Sequence, residues 1–294
     1  TYLNEGGAFR APRSYGDIRA MKFVATLDTS LGQGPMLVCA ENGIVSCNAP
    51  SAREEWKNLT DPIQTSALIE YGAMGAVALV NGDAFFRARD GLRSFIMARR
   101  EFGTWGNTPI SRELRRVMQF DTDRLLRHSS LILFDNRLLF TIGPQPTPNG
   151  VKHRCLGVLD FDLLSSMGDK APPVYDGIWT GMDPTLLVKG TFDGRERAFA
   201  FCLNADNRNE LWEFTKTRAF DNTDGRIASF IETKSLDNGT PYQLKRLEDC
   251  DGWFDRIMGD VDLDLRYRPD QYPCWLDWRR GVLASKYRDC DSVT

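Results

Sequence analysis

The clearest signal of the fold lies in residues 77–96, VALVNGDAFFRARDGLRSFI. Three short apolar runs follow one another in it, and the pairs Asn81-Gly82 and Asp90-Gly91 separate them. Asn-Gly and Asp-Gly pairs tolerate the positive φ angles that tight turns between antiparallel strands require. These residues therefore predict a three-stranded antiparallel meander.

The same turn signal recurs along the chain, between further runs that are typical of β-strands. It occurs at Asn42-Gly43, Asp135-Asn136, Asp193-Gly194 and Asn238-Gly239. Turn centres lie roughly 40 to 60 residues apart, and a four-stranded propeller blade takes about 40 to 50. We predict a mainly all-β fold, an irregular β-propeller of hairpin and meander blades with one or two short helices. A multi-sheet β sandwich is the alternative.

The chain divides unevenly into segments. Residues 1–35, rich in Gly, Arg and polar groups, are predicted as an N-terminal arm or an incomplete first unit, and residues 36–294 as one β-propeller-like domain. The start at Thr1 rather than Met suggests a trimmed, processed or incomplete chain. Residues 143–150, GPQPTPNG, are predicted as a loop, with a mild internal boundary at 143–152.

One helix is predicted after Thr108-Pro109, because a Thr cap followed by Pro is a typical helix start. Its apolar face would carry Ile110, Leu114, Val117 and Met118. Later strands are predicted at residues 227–234, 243–247 and 261–267.

Composition limits the possible functions. The 294 residues are 42% hydrophobic, enough for a sizeable core, and the net charge of −3 argues against a general nucleic-acid binder. The chain contains no run of eighteen apolar residues, so no transmembrane helix is predicted. The seven cysteines are irregularly spaced and form no Cys-x-x-Cys pair, so we expect buried free thiols rather than a zinc site.

No residue pattern predicts catalysis, a cofactor or a metal, so no catalytic, cofactor-binding or metal-binding residue is assigned. His128 and His153 are isolated, without the spacing of metal ligands. The alternating carboxylates of Asp260, Asp262 and Asp264 fall on one face of a strand. We favour a solvated outer face there over a cation site. Residues 221–225 lack the final Glu of a calcium loop and predict only a turn.

Tryptophans leave a further alternative open. Trp253, Trp275 and Trp278 are candidate stacking platforms for sugars or bases, although core or interface packing is the commoner use of such residues.

Two parts of the chain resemble virion proteins of short-tailed bacteriophages. The first runs from the meander, NGDAFFRARDGLRSF at 81–95, through NTPISRE at 107–113 to NRLLFT at 136–141. The second is YRPDQYPCWLDW at 267–278. Together they resemble the tail nozzle family, also called tail tubular protein B or phage stabilization protein.

The resemblance implies a structural virion protein and no enzyme. It implies a β-propeller with inserted β domains and a homo-oligomeric ring, a hexamer in the family, that contacts tail adaptor and fibre proteins. Genomic DNA would be ejected through the ring without specific binding. The protein would be made in the bacterial host cytoplasm and located in the virion. The alternatives are a carbohydrate-binding or glycoside-processing β-propeller and a monomeric scaffold with a peptide-binding propeller face.

Overall fold

The computed structural model divides the chain into two compact units, Thr1–Phe214 and Thr215–Thr294. It describes residues 12–24, 36–48, 54–58, 64–69, 71–80, 82–95, 109–119, 121–162, 174–215, 220–221, 225–233, 235–236, 239, 243, 246, 260–269 and 272–284. Among these residues, no helix is long and apolar enough to cross a membrane.

The described residues of the first unit form four antiparallel sheets whose strands follow one another along the chain. Sheet A consists of β1 (Ile18–Phe23), β2 (Met36–Ala40), β3 (Gly43–Asn48) and β4 (Gln64–Ile69). Sheet B consists of β5 (Val77–Val80), β6 (Asp83–Ala88) and β7 (Gly91–Ser94). Sheet C consists of β8 (Leu131–Phe134), β9 (Arg137–Thr147), β10 (Gly150–Asp160) and β11 (Val174–Trp179). Sheet D consists of β12 (Pro184–Phe192), β13 (Arg195–Leu203) and β14 (Asn209–Phe214). The all-β prediction is confirmed.

Tight turns form where the sequence predicts them. Asp135 and Asn136 both have positive φ angles, 53° and 55°, and join β8 to β9. Asp193 and Gly194 do the same between β12 and β13, with φ angles of 51° and 74°. Positive φ at both central residues matches the twist of the strands on either side. Sheet B is the predicted meander.

Successive sheets share hydrophobic cores, so the four sheets form a series A–B–C–D. Successive side chains of a strand point to opposite faces of its sheet. In β6, Phe86 therefore packs with sheet A, and Phe85 packs with sheet C. A third core joins Leu139 of sheet C to Leu187 and Ala200 of sheet D. Neighbouring propeller blades pack in this way. Among the described residues, no hydrophobic core joins sheet D back to sheet A, so the propeller stays a prediction.

The predicted loop at 143–150 is wrong. Residues 143–147 continue β9, and Pro144 and Pro146 lie opposite His153 and Val151 of β10. Proline is tolerated here because β8 pairs with β9 only as far as Phe140, which leaves the far side of β9 as a sheet edge. The two prolines are two residues apart, so their missing N–H groups both belong to that edge.

The predicted helix exists, although it is mostly a 3-10 helix. Ile110–Leu114 is 3-10, and α1 (Arg115–Met118) follows after non-helical angles at Ser111. Pro109 occupies the cap position, and Thr108 lies outside the described residues. Leu114 and Met118 are buried as predicted, but Val117 is exposed. A second short helix, α2 (Asp123–Leu126), was not predicted.

Two further 3-10 segments occur in the first unit. Within the predicted arm, a short 3-10 helix at Arg13–Tyr15 precedes β1. Strand β1 pairs with β2 as the first strand of sheet A. Glu55–Asn58 forms another 3-10 turn.

In its described residues, the second unit contains two hairpins, β15 (Phe220–Asp221) with β16 (Gly225–Arg226) and β17 (Asp260–Tyr267) with β18 (Leu276–Ala284). The strand predicted at 261–267 is confirmed. The strand predicted at 227–234 is wrong over 227–233, where no partner strand is available among the described residues and Phe230 and Ile231 are almost fully exposed. Most of the segment 243–247 lies outside the described residues.

Candidate assembly faces

Sheet D carries apolar side chains on both of its faces. One face buries Leu187, Ala198 and Ala200 against sheet C. On the other face, Leu186, Phe201 and Leu211 lie directly opposite one another across the three strands. These three side chains are 48%, 44% and 60% exposed. The face of a sheet that is turned away from the core normally carries polar residues. Burial in the core of sheet D therefore does not explain this apolar row.

A second apolar row continues this surface. Val188 lies opposite Phe199, and the Phe192 ring meets Phe199 edge to face with ring centres 5.6 Å apart. Beside them, Arg197 Nε and Nη2 donate to the two carboxylate oxygens of Glu213 at 2.6 and 2.7 Å. We call this surface the D face and define it by the exposed or half-buried apolar side chains of Leu186, Val188, Phe192, Phe199, Phe201 and Leu211.

The first sheet of the series has a comparable surface. In β2, Leu37 and Cys39 face the core shared with sheet B, so the alternate residues face away from it. Met21 and Phe23 of β1 lie opposite those alternate residues, Val38 and Met36, and are 60% and 63% exposed. We call this surface the A face and define it by Met21, Phe23 and Met36, next to the small buried cluster of Val38, Val45 and Cys47.

A buried ion pair fixes the contact between sheets B and C. Arg87 of β6 and Asp121, which follows α1, are in direct contact, and both side chains are 1% exposed. Arg87 Nη1 also lies 3.8 Å from Met118 Sδ. Burial raises the pKa of Asp121 and lowers that of Arg87, while each partner's charge opposes the shift in the other. Arg87 nevertheless remains a cation at neutral pH.

His153 is the second buried polar group of this region. Its ring is fully buried, Nδ1 lies 3.2 Å from the Pro184 carbonyl oxygen, and Nε2 has no hydrogen-bond partner among the described residues. Burial lowers the pKa of His153 to about 4, with a further contribution from the charge of Arg87. A neutral histidine without a second partner is a packing residue here. His128, the other histidine, is exposed.

The alternating aspartates of β17 form a solvated face, as favoured from the sequence. Asp262 and Asp264 are exposed, and Leu263 and Leu265 between them are half-buried. Arg280 lies opposite Asp264 in β18, and its Nε is 3.4 Å from the Asp264 carboxylate. In the described part of the chain, no three His, Cys, Asp or Glu side chains are grouped as metal ligands would be.

Two of the three candidate stacking tryptophans lie in or next to β18. Trp275 and Trp278 are both more than a third exposed, and Arg268 lies over the Trp275 ring at 4.8 Å. Trp253 lies outside the described residues. Sequence reasoning missed Trp212, which lines a cavity of about 360 Å³ at one end of sheet D together with Asp183, Asn204 and Glu210.

Four cysteines are buried free thiols, as predicted: Cys39, Cys47, Cys155 and Cys202. Burial raises the pKa of each, to about 12 for Cys39 and Cys202 and about 11 for Cys155, so these thiols stay protonated and unreactive. Cys274 is a free thiol at the surface.

Neither end face was identified from the sequence. A signal for the D face was nevertheless present in the sequence. Residues 186–188 and 198–202 are apolar at consecutive positions, so apolar side chains point to both faces of each strand. Such runs are typical of strands buried on both faces. A comparison with protein families found no family model that matches the chain, and a comparison with curated proteins found no match.

Proposed function

We propose that this chain is a structural virion protein, a ring-forming subunit of the tail nozzle of a short-tailed bacteriophage. The observation that carries the proposal is the exposed apolar row of Leu186, Phe201 and Leu211 on the D face. Contiguous exposed apolar patches of this kind mark protein contacts. A wall-forming subunit needs rigid sheets and side surfaces that match its neighbours, and the buried cores of the first unit supply the rigidity.

The same proposal accounts for the charge. A conduit for DNA must not hold phosphates, because every phosphate neutralised by Lys or Arg adds affinity. A net charge of −3 suits a ring through which genomic DNA passes without specific binding. In this role the protein is a non-enzymatic part of the virion, assembled from the host cytoplasm and flanked by adaptor and fibre proteins.

Particle mass measured against concentration tests the proposal. We expect the purified chain to form closed rings, visible by negative-stain microscopy, whose mass is a whole multiple of 33.3 kDa, with six subunits as the family resemblance implies. A chain that stays monomeric from nanomolar to high micromolar concentrations would contradict a ring-forming role.

A carbohydrate-binding propeller is the second candidate, and the cavity at the end of sheet D favours it. Trp212 offers a ring, and Asp183, Asn204 and Glu210 offer polar groups, although Trp212 Nε1 donates to Glu210 at 3.2 Å and Lys152 holds Asp183 at 2.6 Å. A glycan array with the chain and with Trp212→Ala tests this candidate, with Trp275→Ala as the matched exposed control. Binding lost only in Trp212→Ala would favour it, and absence of binding would remove it.

A further inference from the structure

We propose that three arginines on the helical segment between sheets B and C bind the phosphate backbone of duplex DNA. Arg112, Arg115 and Arg116 are exposed side chains of the 3-10 segment Ile110–Leu114 and of α1, and we call them the arginine face. This role goes beyond the proposed function, because it belongs to the single chain and needs no ring.

The charges of the arginine face have no partner within the described part of the chain. None of the three guanidinium groups contacts a carboxylate there, and Glu113 is the sole exposed carboxylate in residues 110–119. The nearby acids are already paired, Asp121 with Arg87 and Asp123 with Arg89. Carboxylates also contact other arginines of the first unit, namely Arg19, Arg93, Arg127, Arg137 and Arg197. The arginine face is therefore a local excess of positive charge.

Backbone geometry brings the three charges together. The Arg115 N–H group donates to the Arg112 carbonyl oxygen, so one 3-10 turn separates these residues. Side chains three residues apart eclipse each other in a 3-10 helix and lie about 6 Å apart along its axis. Arg116 follows in α1, four residues after Arg112, and lies next to the same row. Like charges at these spacings repel and weaken a helix, so the fold gains nothing from them.

The surroundings of the arginine face favour a nucleic-acid backbone over an acidic protein as its partner. Protein interfaces have an apolar centre, but Val117, 36% exposed, is the only exposed apolar side chain in the described stretch 109–119. Protein–DNA interfaces are more polar and more positively charged. The planar guanidinium group of arginine can also donate two parallel hydrogen bonds to one phosphate. The arginine face thus has the chemistry of a phosphate contact.

The small number of contacts makes the binding weak and sensitive to salt. Each phosphate that a protein neutralises releases counterions, and the slope of log K against log salt concentration is about −0.9 per contact. Three contacts predict a slope of about −2.7, whereas proteins that bind DNA firmly through six to ten contacts have slopes of about −5 to −9. Such a face steers a duplex without holding it, which is compatible with passage of DNA and with a net charge of −3.

The salt dependence of DNA binding tests the inference. The chain carries Cys250→Ser and Cys290→Ser, is labelled at the exposed thiol of Cys274, and is kept at nanomolar concentration. A short DNA duplex is the titrant, so assembly of the chain does not contribute to the signal in thermophoresis. We expect the affinity to fall about 40-fold between 50 and 200 mM salt. A slope near zero, or no binding at 50 mM salt, would overturn the inference.

Substitutions assign the binding to the arginine face. We expect Arg112→Gln, Arg115→Gln and Arg116→Gln each to flatten the slope by about 0.9. Arginine and glutamine have similar helix propensities, and far-ultraviolet circular dichroism checks that the variants are folded. Arg208→Gln is the matched control. Arg208 lies between β13 and β14, is exposed, and has no ion pair among the described residues. An unchanged slope in the triple variant, or an equal loss in the control, would contradict the assignment.

Polyglutamate distinguishes an acidic protein from a nucleic acid. Its charges lie about 3.3 Å apart in an extended chain, whereas duplex DNA carries one charge per about 1.7 Å of its axis. We therefore expect polyglutamate to bind about tenfold more weakly than DNA at 50 mM salt. Equal binding of the two polymers would overturn the inference in favour of an acidic protein partner.

The inference and the proposed function fail through different results. A chain that binds DNA with a slope of about −2.7 but never forms rings would contradict only the ring-forming role. Rings whose subunits bind DNA equally well with and without the three arginines would contradict only the role of the arginine face.

Discussion

Two regions of the first unit are built from the same kinds of side chain but differ in their surroundings. One is the contact between sheets B and C, and the other is the D face. Each contains phenylalanines, leucines and an arginine–carboxylate pair. Between sheets B and C, Phe140 is fully buried and Arg87 and Asp121 are 1% exposed. On the D face, Phe201 is nearly half exposed, and Arg197 and Glu213 remain in contact with water. The position of a residue in the series of sheets, rather than its type, therefore decides whether it stabilises the fold or is available for assembly.

Removing one partner of each ion pair should separate the two regions most clearly. We expect Asp121→Ala to lower the free energy of unfolding by about 3–5 kcal/mol, because it leaves the Arg87 charge buried without a partner. Glu213→Ala, its exposed counterpart, should cost much less, because water already solvates both charges of the Arg197–Glu213 pair. Urea denaturation of the two variants measures both values, and similar losses would erase the distinction between the two regions.

Acid should weaken the buried region through His153. Its folded-state pKa of about 4 lies below the value of about 6.5 expected in the unfolded chain. The unfolded state therefore binds more protons between these values. Stability contributed by the neutral ring is complete above pH 6.5 and is lost as the pH falls towards 4, by up to about 3 kcal/mol.

Unfolding free energies measured between pH 7 and pH 4.5 check this expectation. His153→Gln should flatten the pH dependence, whereas His128→Gln, which changes an exposed ring, should leave it as in the original chain. An unaltered slope in His153→Gln would show that other groups cause the acid sensitivity.

A single added methyl group should have a more modest effect. A Cβ atom at Gly157 would overlap the Phe140 ring and lie 2.8 Å from Ile142 Cδ1, so Gly157→Ala should cost about 1–3 kcal/mol through overpacking. Gly281 has open space around it, and Gly281→Ala should be neutral or stabilising by up to about 1 kcal/mol. Thermal unfolding of both variants tests the pair, and a harmless Gly157→Ala would mean that the sheet C core can yield to an extra methyl group.

Local signals made the hairpins of the first unit predictable. Asn-Gly, Asp-Asn and Asp-Gly pairs determine backbone angles within two residues, so the turns at 135–136 and 193–194 follow directly from the sequence. The strand at 143–147 was missed because tolerance of Pro144 and Pro146 depends on where β8 ends. Residues 227–233 have a strand-like composition but no partner strand in the described part of the chain. In both segments, the presence or absence of a paired strand decided the structure.

The candidate site was less accessible to sequence reasoning. Arg87 and Asp121 are 34 residues apart, and nothing in either local sequence indicates that they meet. The apolar runs of β12 and β13 predicted strands but not that one face would remain uncovered, because that depends on the position of sheet D in the series. Sequence patterns of this kind specify which way a side chain points, while the packing of sheets specifies what it meets.

The proline-bearing edge of β9 limits how the protein can associate. An exposed strand edge normally recruits strands from other molecules through its free backbone donors, and this recruitment is the first step of fibril growth. Pro144 and Pro146 remove two such donors from one edge, so a foreign strand gains little by lying beside it. Uncontrolled polymerisation is thereby discouraged along this margin of the molecule, even though large apolar surfaces are displayed elsewhere.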